Sequence, residues 1–316
     1  MGGLLLAALA SLQATALAAT CGCCEVSSAG ILLTCSACPA STAALHLGYC
    51  GLTALQPGAF ASPLLAGVAS LDLSNNALRE LPAGAFEGLP GLADLDLSSN
   101  LLSAVAPGAL SGEALPRLAT LDLGFNELPA VPAALSLPNL TSLSLYWNPI
   151  AAFSNASFRG VPRLTYLDAN NCGLAEVDSG AFAALSALTA LNLGHNALAA
   201  LPQDGWAGPS LLTTLALQDN ALTALPPRFF RAFPLLETLP LYSNQLEALA
   251  AGTFSALSSL AGLYLNDNNI TALRSGCFSG LAERFQYLAL TDNQLSPAAC
   301  NANFASIAAV PSACFS

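Results

Sequence analysis

Few side chains in this sequence are arranged for catalysis or metal binding. Histidine occurs twice, as His46 and His195, and neither has a Cys or His neighbour at metal-ligand spacing. No nucleophile elbow, phosphate-binding loop or zinc motif is present. Of the ten cysteines, five crowd between Cys21 and Cys38, a density typical of structural disulfides in an oxidising compartment. The sequence therefore predicts a protein that is not an enzyme and that carries no metal and no cofactor.

Aspartates are the charged residues with the most regular spacing. Asp72, Asp96 and Asp122 each stand between two leucines, four residues before a recurring Asn. If equivalent positions stack on neighbouring strands, these three carboxylates offer the oxygen ligands that Ca²⁺ prefers. The interpretation we favour is a solvated acidic ladder, because Leu-Asp-Leu is also what such a repeat contains without any ligand.

A repeat is the element that positions these residues. The segment from Leu71 to Leu78, Leu-Asp-Leu-Ser-Asn-Asn-Ala-Leu, recurs from Leu95 and again from Leu121. Eleven copies follow this pattern, with anchor residues 22 to 26 positions apart. The anchors are Cys50, Asn76, Asn100, Asn126, Asn148, Cys172, Asn196, Asn220, Asn244, Asn268 and Asn293. A continuous repeat overrides the two domains that length alone would suggest.

Each copy has the composition of one coil of a solenoid. Leucines, in most copies, stand five and three residues before the anchor, so a strand there points them inward and their neighbours outward. An aromatic residue recurs ten residues after the anchor, as Phe60, Phe86, Phe158, Phe182, Trp206, Phe230, Phe254 and Phe278. No coil buries these residues alone, so stacking must supply the core. The anchor Asn can donate and accept, which predicts hydrogen bonds to its own coil and to the next. We interpret Cys172, in the same slot, as a buried thiol.

These motifs resemble the leucine-rich repeats with the pattern L-x-x-L-x-L-x-x-N-x-L-x-x-L-x-x-x-x-F. That 24-residue subclass is typical of matrix proteoglycans, Toll-like receptor ectodomains and lamprey variable lymphocyte receptors, and the resemblance covers roughly residues 42 to 300. It implies an α/β-type repeat solenoid, shaped as a horseshoe, with a parallel concave β-sheet and an irregular or 3-10 convex side. It also implies that Cys21, Cys23, Cys24 and Cys35 form an N-terminal disulfide cap. The cysteine spacing departs from the family, and Cys38 is an extra member, so the pairing stays open.

The two ends of the chain differ from the repeats. An apolar stretch near the N-terminus is followed by Ala16-Leu17-Ala18, the spacing of a signal-peptidase site, so we expect a signal peptide over 1–19. A soluble N-terminal helix is the alternative. The cap then covers 20–41, the solenoid 42–299 and a short C-terminal cap 300–316. Within the last segment we favour a Cys300–Cys314 disulfide, with Cys277 as an alternative partner. Three glycosylation sequons begin at Asn139, Asn155 and Asn269. The expected product is a secreted, extracellular glycoprotein without a transmembrane segment.

The outward positions of the predicted concave sheet lie six, four, two and one residues before each anchor. They hold eight of the ten aspartates and none of the arginines or glutamates. Aromatic residues cluster in the same columns of adjacent coils, which is the composition of a binding hot spot. The candidate ligand-binding residues are therefore Asp96, Asp122, Phe125, Tyr146, Trp147, Tyr166 and Asp168, and Tyr242, Tyr264 and Tyr287 form a second aromatic set. Alternatively, Tyr146 and Trp147 cover the shortest coil, between Asn126 and Asn148.

Charge narrows the choice of ligand. The chain has a net charge of −11 and no lysine, so nucleic acid and anionic membranes are unfavourable partners. The sequence predicts a secreted scaffold that recognises a protein or peptide ligand, cationic or of mixed charge, on its concave face. Two alternatives remain open at this point. The chain is a structural component of an extracellular matrix or cell wall, or it is the shed or truncated ectodomain of a receptor.

Overall fold

A computed structural model describes residues 19–133, 135–281 and 285–296. Short strands account for almost all of its regular structure, and two 3-10 helices, Pro63–Leu65 and Phe229–Ala232, lie between strands. In chain order the strands are β1 (Ala19–Cys21), β2 (Cys24–Val26), β3 (Ile31–Thr34), β4 (Ala44–His46), β5 (Ala54–Leu55), β6 (Ser70–Asp72), β7 (Glu80–Leu81), β8 (Asp94–Asp96), β9 (Ala104–Val105), β10 (Thr120–Asp122), β11 (Ser142–Ser144), β12 (Ala152–Phe153), β13 (Tyr166–Asp168), β14 (Glu176–Val177), β15 (Ala190–Asn192), β16 (Thr214–Ala216), β17 (Thr238–Pro240), β18 (Ala248–Leu249), β19 (Gly262–Tyr264), β20 (Ala272–Leu273) and β21 (Tyr287–Ala289).

One parallel sheet of eleven strands forms the concave side. Its order is β4-β6-β8-β10-β11-β13-β15-β16-β17-β19-β21, one strand from each coil. Every one of these strands begins six residues before its anchor and ends four residues before it. Two-residue strands pair on the other side of the solenoid, β7 with β9, β12 with β14 and β18 with β20. The predicted leucine-rich-repeat solenoid with a parallel concave sheet is confirmed.

The core is a continuous column of side chains from stacked coils. Two strand residues of each coil point inward, and they are leucines in every coil except the one with Ala169. Leu191 and Leu193, for example, are 1% and 0% exposed. The predicted aromatic column is also buried, and its rings pack from coil to coil. Phe158 and Phe182 stack with centroids 5.7 Å apart, and Phe182 meets Trp206 edge-on at 5.3 Å. Apolar area is therefore buried between coils rather than within one, as expected for a solenoid.

The anchor asparagines connect neighbouring coils through their amides. In Asn220, Oδ1 accepts from the backbone N–H of Leu198 at 3.0 Å. Its Nδ2 donates to the carbonyls of Leu193 and Leu217, at 3.0 and 3.1 Å. The same three bonds recur at Asn76, Asn100, Asn126, Asn148, Asn196, Asn244, Asn268 and Asn293. The sequence predicted that each amide bonds its own coil and the next coil. The second part was wrong, because each amide bonds its own coil and the preceding one.

Three disulfides close the N-terminal end of the solenoid. They join Cys24 to Cys35, Cys23 to Cys38 and Cys21 to Cys50. Strands β1, β2 and β3 pair antiparallel, and β5 of the first coil adds to β3 in parallel. The predicted N-terminal cap is confirmed, but Cys38 is not an extra cysteine, since it pairs within the cap. Cys50, which occupies the anchor slot of the first coil, ties the cap to the repeats.

Several predictions concern residues outside the described ranges. The signal peptide over 1–19 lies there except for Ala19, and so does the C-terminal cap over 300–316 with Cys300 and Cys314. Within the described residues, Cys172 and Cys277 are buried free thiols, as predicted for Cys172. No helix in the described part of the chain has the length and apolar character needed to cross a membrane.

Candidate functional site

The seven residues predicted to bind ligand lie on, or within three residues after, four neighbouring strands of the concave sheet, β8, β10, β11 and β13. We call this set the central concave patch. It comprises Asp96, Asp122, Phe125, Tyr146, Trp147, Tyr166 and Asp168. Asp96 pairs in register with Asp122, and Ser144 of β11 separates Asp122 from Asp168. The patch is thus one contiguous surface, and its use in binding stays a prediction.

The residue before each anchor has a backbone conformation that few side chains favour. In every described coil this position has a φ between 50° and 57°, the left-handed region. Asn and Asp tolerate that region best among residues with a Cβ, and Asn75 and Asn171 are examples at this position. Phe125 and Trp147 adopt it at φ 50° and 54° although bulky residues are disfavoured there by roughly 1 kcal/mol. Local backbone preference therefore does not explain why aromatic residues occupy these two positions.

The aromatic side chains contact one another across two coils. The rings of Phe125 and Trp147 are nearly parallel, 9° apart in plane, with centroids 5.6 Å apart. Tyr146 meets Phe125 edge-on at 5.3 Å. Phe125 and Trp147 remain 47% and 52% exposed, so the pair forms an apolar shelf that is open to solvent. The alternative that Trp147 merely covers the short coil accounts for its contact with Phe125 but not for its exposure.

The lack of a side chain at Gly124 leaves room for the Tyr146 ring, and sequence reasoning missed this residue. A Cβ at Gly124 would overlap the ring carbons of Tyr146. Any side chain at this position would therefore push Tyr146 away from Phe125. The signal was present in the sequence, since Gly124 and Tyr146 occupy the same column of consecutive coils.

The aspartates of the patch have a structural role that sequence reasoning did not assign. Oδ1 of Asp122 accepts from the backbone N–H of Gly124 at 2.7 Å, and Oδ1 of Asp96 accepts from Ser98 at 2.8 Å. Such i to i+2 bonds stabilise the turn that follows the strand. Asn192 makes the same bond to Gly194 at 3.1 Å, so the turn requires an acceptor but not a charge. The turn bond therefore does not explain why these positions carry a negative charge.

The charge of Asp122 is held in an unfavourable environment. Burial raises the pKa of Asp122 from 3.8 to about 6, against the opposing hydrogen bond from Gly124, and the charges of Asp96 and Asp168 raise it further. Burial, and next the charge of Asp122, raise the pKa of the Tyr146 hydroxyl. Burial and Asp168 do the same to the pKa of Tyr166, whose hydroxyl donates to Oδ2 of Asp168 at 3.3 Å. These acidic and phenolic groups therefore interact electrostatically across four neighbouring strands, β8, β10, β11 and β13.

No cation of the described chain balances this charge. The ion pairs within the described ranges are His195 with Asp219, at 3.5 Å, and Arg228 with Asp204, at 3.8 Å. Neither pair belongs to the central concave patch. A field of one sign in a concavity attracts ligands of the opposite sign.

The other reactive side chains of the described residues do not come together in a site. His46 lies on β4 and His195 follows β15, six strands away in the sheet. The thiols of Cys172 and Cys277 have their pKa raised to about 11 by burial, which keeps them protonated. In the described residues, the one group of three potential metal ligands close enough to share an ion is Cys23, Cys24 and Cys38, and all three are in disulfides.

The asparagines of the three sequons are exposed. Asn139, Asn155 and Asn269 all lie at the surface, so each is accessible to modification. Asn139 also forms contacts of its own. Its Nδ2 donates to the carbonyl of Pro116 at 2.9 Å, and its Oδ1 accepts from Arg163 at 2.8 Å. Glycosylation at these positions stays a prediction.

A comparison with protein families agrees with this architecture. The family model described as leucine rich repeat matches six overlapping stretches, 41–102, 66–128, 116–174, 169–222, 210–265 and 234–295. No curated protein matches the chain. Among solved structures, one described as the crystal structure of a TLR13–ssRNA13 complex is 23% identical, with a TM-score of 0.49. The match covers 73% of this chain and 43% of that one, so this chain spans less than half the length of that protein.

Proposed function

This chain belongs to the leucine-rich-repeat family, and from that premise we propose that it is a secreted, non-enzymatic scaffold that holds a protein or peptide ligand on its concave face. Solenoids of this kind present extended concave surfaces to which ligands bind. The observation that carries the proposal is the exposed Phe125–Trp147 pair. Both residues are held in a backbone conformation that disfavours them, on a sheet with uncompensated negative charge. The left-handed conformation belongs to every coil, so it is the choice of aromatic side chains at two neighbouring positions, and not the conformation itself, that points to function.

The chemistry of the patch supports a cationic or mixed-charge partner. Aromatic side chains at the centre of an interface supply most of its binding energy, while surrounding charges mainly speed association. The aspartates of the concave columns would repel the phosphates of nucleic acid, so we propose that nucleic acid is not the ligand. Three disulfides in the cap support an oxidising, extracellular environment and hence secretion.

The proposal is tested by exchanging Trp147 for Asn, the residue type already present at Asn75 and Asn171. The exchange suits the backbone and removes the aromatic contact, so folding should be retained. The matched control is Leu211→Asn, because Leu211 is 46% exposed and lies outside the concave sheet. Proximity labelling by the tagged protein on intact cells identifies the proteins that it contacts. We expect Trp147→Asn to lose the enriched partner and Leu211→Asn to keep it.

The opposite result would place the binding surface elsewhere. If Trp147→Asn is folded and labels the same partner at the same level, while Leu211→Asn loses it, the concave patch is not the site. Sedimentation velocity of the same variants addresses the matrix alternative. If Trp147→Asn abolishes self-association and no foreign partner is enriched by the parent protein, the surface serves assembly.

A further inference from the structure

We propose that the central concave patch receives an arginine side chain of the partner, with the guanidinium group stacked on the Phe125–Trp147 shelf and ion-paired with Asp122. This inference rests on the proposed function and names the chemical group that the site selects. The partner is then a protein or peptide that presents an arginine from an exposed segment.

Charge complementarity is the first step of the argument. Asp122 has one carboxylate oxygen, Oδ1, engaged by the N–H of Gly124, and Oδ2 accepts no hydrogen bond from the described residues. The side chain is partly buried and lies between two further carboxylates, those of Asp96 and Asp168. A cation at this point relieves repulsion that the folded chain leaves unbalanced. The site therefore gains more from a bound cation than an isolated surface aspartate would.

The position of Tyr146 joins the acid to the aromatic shelf. Its ring lies over Gly124, the second residue after Asp122, and it meets Phe125 edge-on. The charge of Asp122 is also the largest charge acting on its hydroxyl. A ligand group that contacts Tyr146 is therefore within reach of both the carboxylate and the rings.

The form of the shelf selects among cations. Phe125 and Trp147 present nearly parallel rings that are about half exposed. A flat, weakly hydrated guanidinium stacks on aromatic rings while its edge pairs with a carboxylate. A lysine ammonium is compact and strongly hydrated, so it gains less from the same rings. A quaternary ammonium favours a cage of rings on several sides, which this open shelf does not form. Calcium is disfavoured because it takes about six to eight oxygen ligands, whereas the carboxylates of Asp96, Asp122 and Asp168 each already hold a turn bond with Oδ1 and offer one further oxygen.

Three labelled peptides separate these possibilities by charge and shape. Octa-arginine and octa-lysine carry the same charge, and octa-citrulline has nearly the shape of octa-arginine without its charge. Their affinities for the whole protein are measured by fluorescence anisotropy at pH 7.4 and physiological salt. We expect the affinity for octa-arginine to be at least about fivefold higher than that for octa-lysine. Octa-citrulline should not bind. Trp147→Asn should reduce the arginine preference to near unity, whereas Leu211→Asn should leave it unchanged.

Asp122→Asn isolates the charge, because an Asn makes the same turn bond at Asn192. It should weaken octa-arginine binding severalfold, with the fold itself retained. A second readout uses the fluorescence of Trp147, which becomes the only tryptophan in a Trp206→Phe background. Phe occupies the equivalent position in neighbouring coils, at Phe182 and Phe230, so that background should fold. Octa-arginine should change the Trp147 emission, and octa-citrulline should not.

Two results overturn the inference. Equal affinity of the parent protein for octa-arginine and octa-lysine, or no binding of either, shows that guanidinium is not selected. An arginine preference that survives in Trp147→Asn places the selection elsewhere. In either case the proposed function stands if proximity labelling still loses its partner in Trp147→Asn, so the two failures are distinguishable.

Discussion

Asp122→Asn should make the folded protein more stable at neutral pH and should flatten the dependence of its stability on pH. The pKa of Asp122 is raised from 3.8 to about 6 in the fold, chiefly by burial. The unfolded chain has the ordinary value, so the folded state resists ionisation of this group. The stability that Asp122 contributes is thus greatest below about pH 4 and falls as the pH rises to about 6, above which the penalty is constant. Asn carries no charge and incurs none of this penalty.

The size of the effect follows from the shift. Two pKa units correspond to about 3 kcal/mol, and partial exposure to solvent reduces this to about 1 kcal/mol. In a chain of this size about 1 kcal/mol changes Tm by about 2 °C. The turn bond is kept, as Asn192 shows with its bond to Gly194.

The assay is thermal unfolding followed by circular dichroism at pH 4 and pH 7.5. The quantity of interest is the difference in Tm between Asp122→Asn and the parent, because the whole acidic chain responds to pH as well. The difference should be near zero at pH 4 and about +2 °C at pH 7.5. Asp72→Asn is the matched control, since Asp72 makes the same turn bond to Ser74 at 2.9 Å. A Tm difference that is the same at both pH values would refute the reasoning about Asp122.

Three further predictions concern the fold and the patch. Asn220→Ala leaves the buried backbone N–H of Leu198 without its acceptor, while the carbonyls of Leu193 and Leu217 each keep one amide donor, from Asn196 and Asn244. Chemical denaturation should therefore show a loss of about 2 kcal/mol, and a loss below about 1 kcal/mol would contradict the role assigned to the anchor amide. Gly124→Ala should displace the Tyr146 ring and lower octa-arginine affinity severalfold in the anisotropy assay, and unchanged affinity would remove Tyr146 from the binding surface. Cys50→Ser breaks the link to Cys21 across 29 residues and should reduce the stability of the chain by about 3 kcal/mol, measured by denaturation, whereas an unchanged midpoint would show that the cap is held by its other contacts.

The architecture was predictable because one pattern is repeated eleven times. The inward leucines fixed the position of each strand, and all eleven strands of the sheet lie six to four residues before an anchor. The amide chemistry of Asn220 was also predictable, since a turn leaves backbone donors and acceptors that an amide can satisfy. Its direction along the stack was not, because that depends on where the N–H of the neighbouring coil points.

Contacts between unlike coils were harder to predict. Cys50 was assigned to an anchor column, and only the folded cap brings Cys21 across to it. The turn bond of Asp122 was visible in principle, because Asp followed two residues later by Ser or Gly is a known turn signature. Phe125 and Trp147 share a column of adjacent coils, but the nearly parallel contact of their rings on a left-handed backbone is not revealed by any pattern of hydrophobicity. The sequence therefore located the candidate surface, while its geometry required the structure.

The hydrogen bonds that each anchor amide makes to the preceding coil determine the order in which the coils can be completed during synthesis. As the chain emerges from the ribosome, one backbone N–H in each coil lacks its acceptor until the next anchor Asn has been synthesised. The N–H of Leu198, for example, waits for Asn220, 22 residues later. Folding should therefore lag synthesis by one coil, with each arriving coil completing the one before it. The disulfide-closed cap is synthesised before the repeats, so each new coil packs onto a stack whose N-terminal end is already covered.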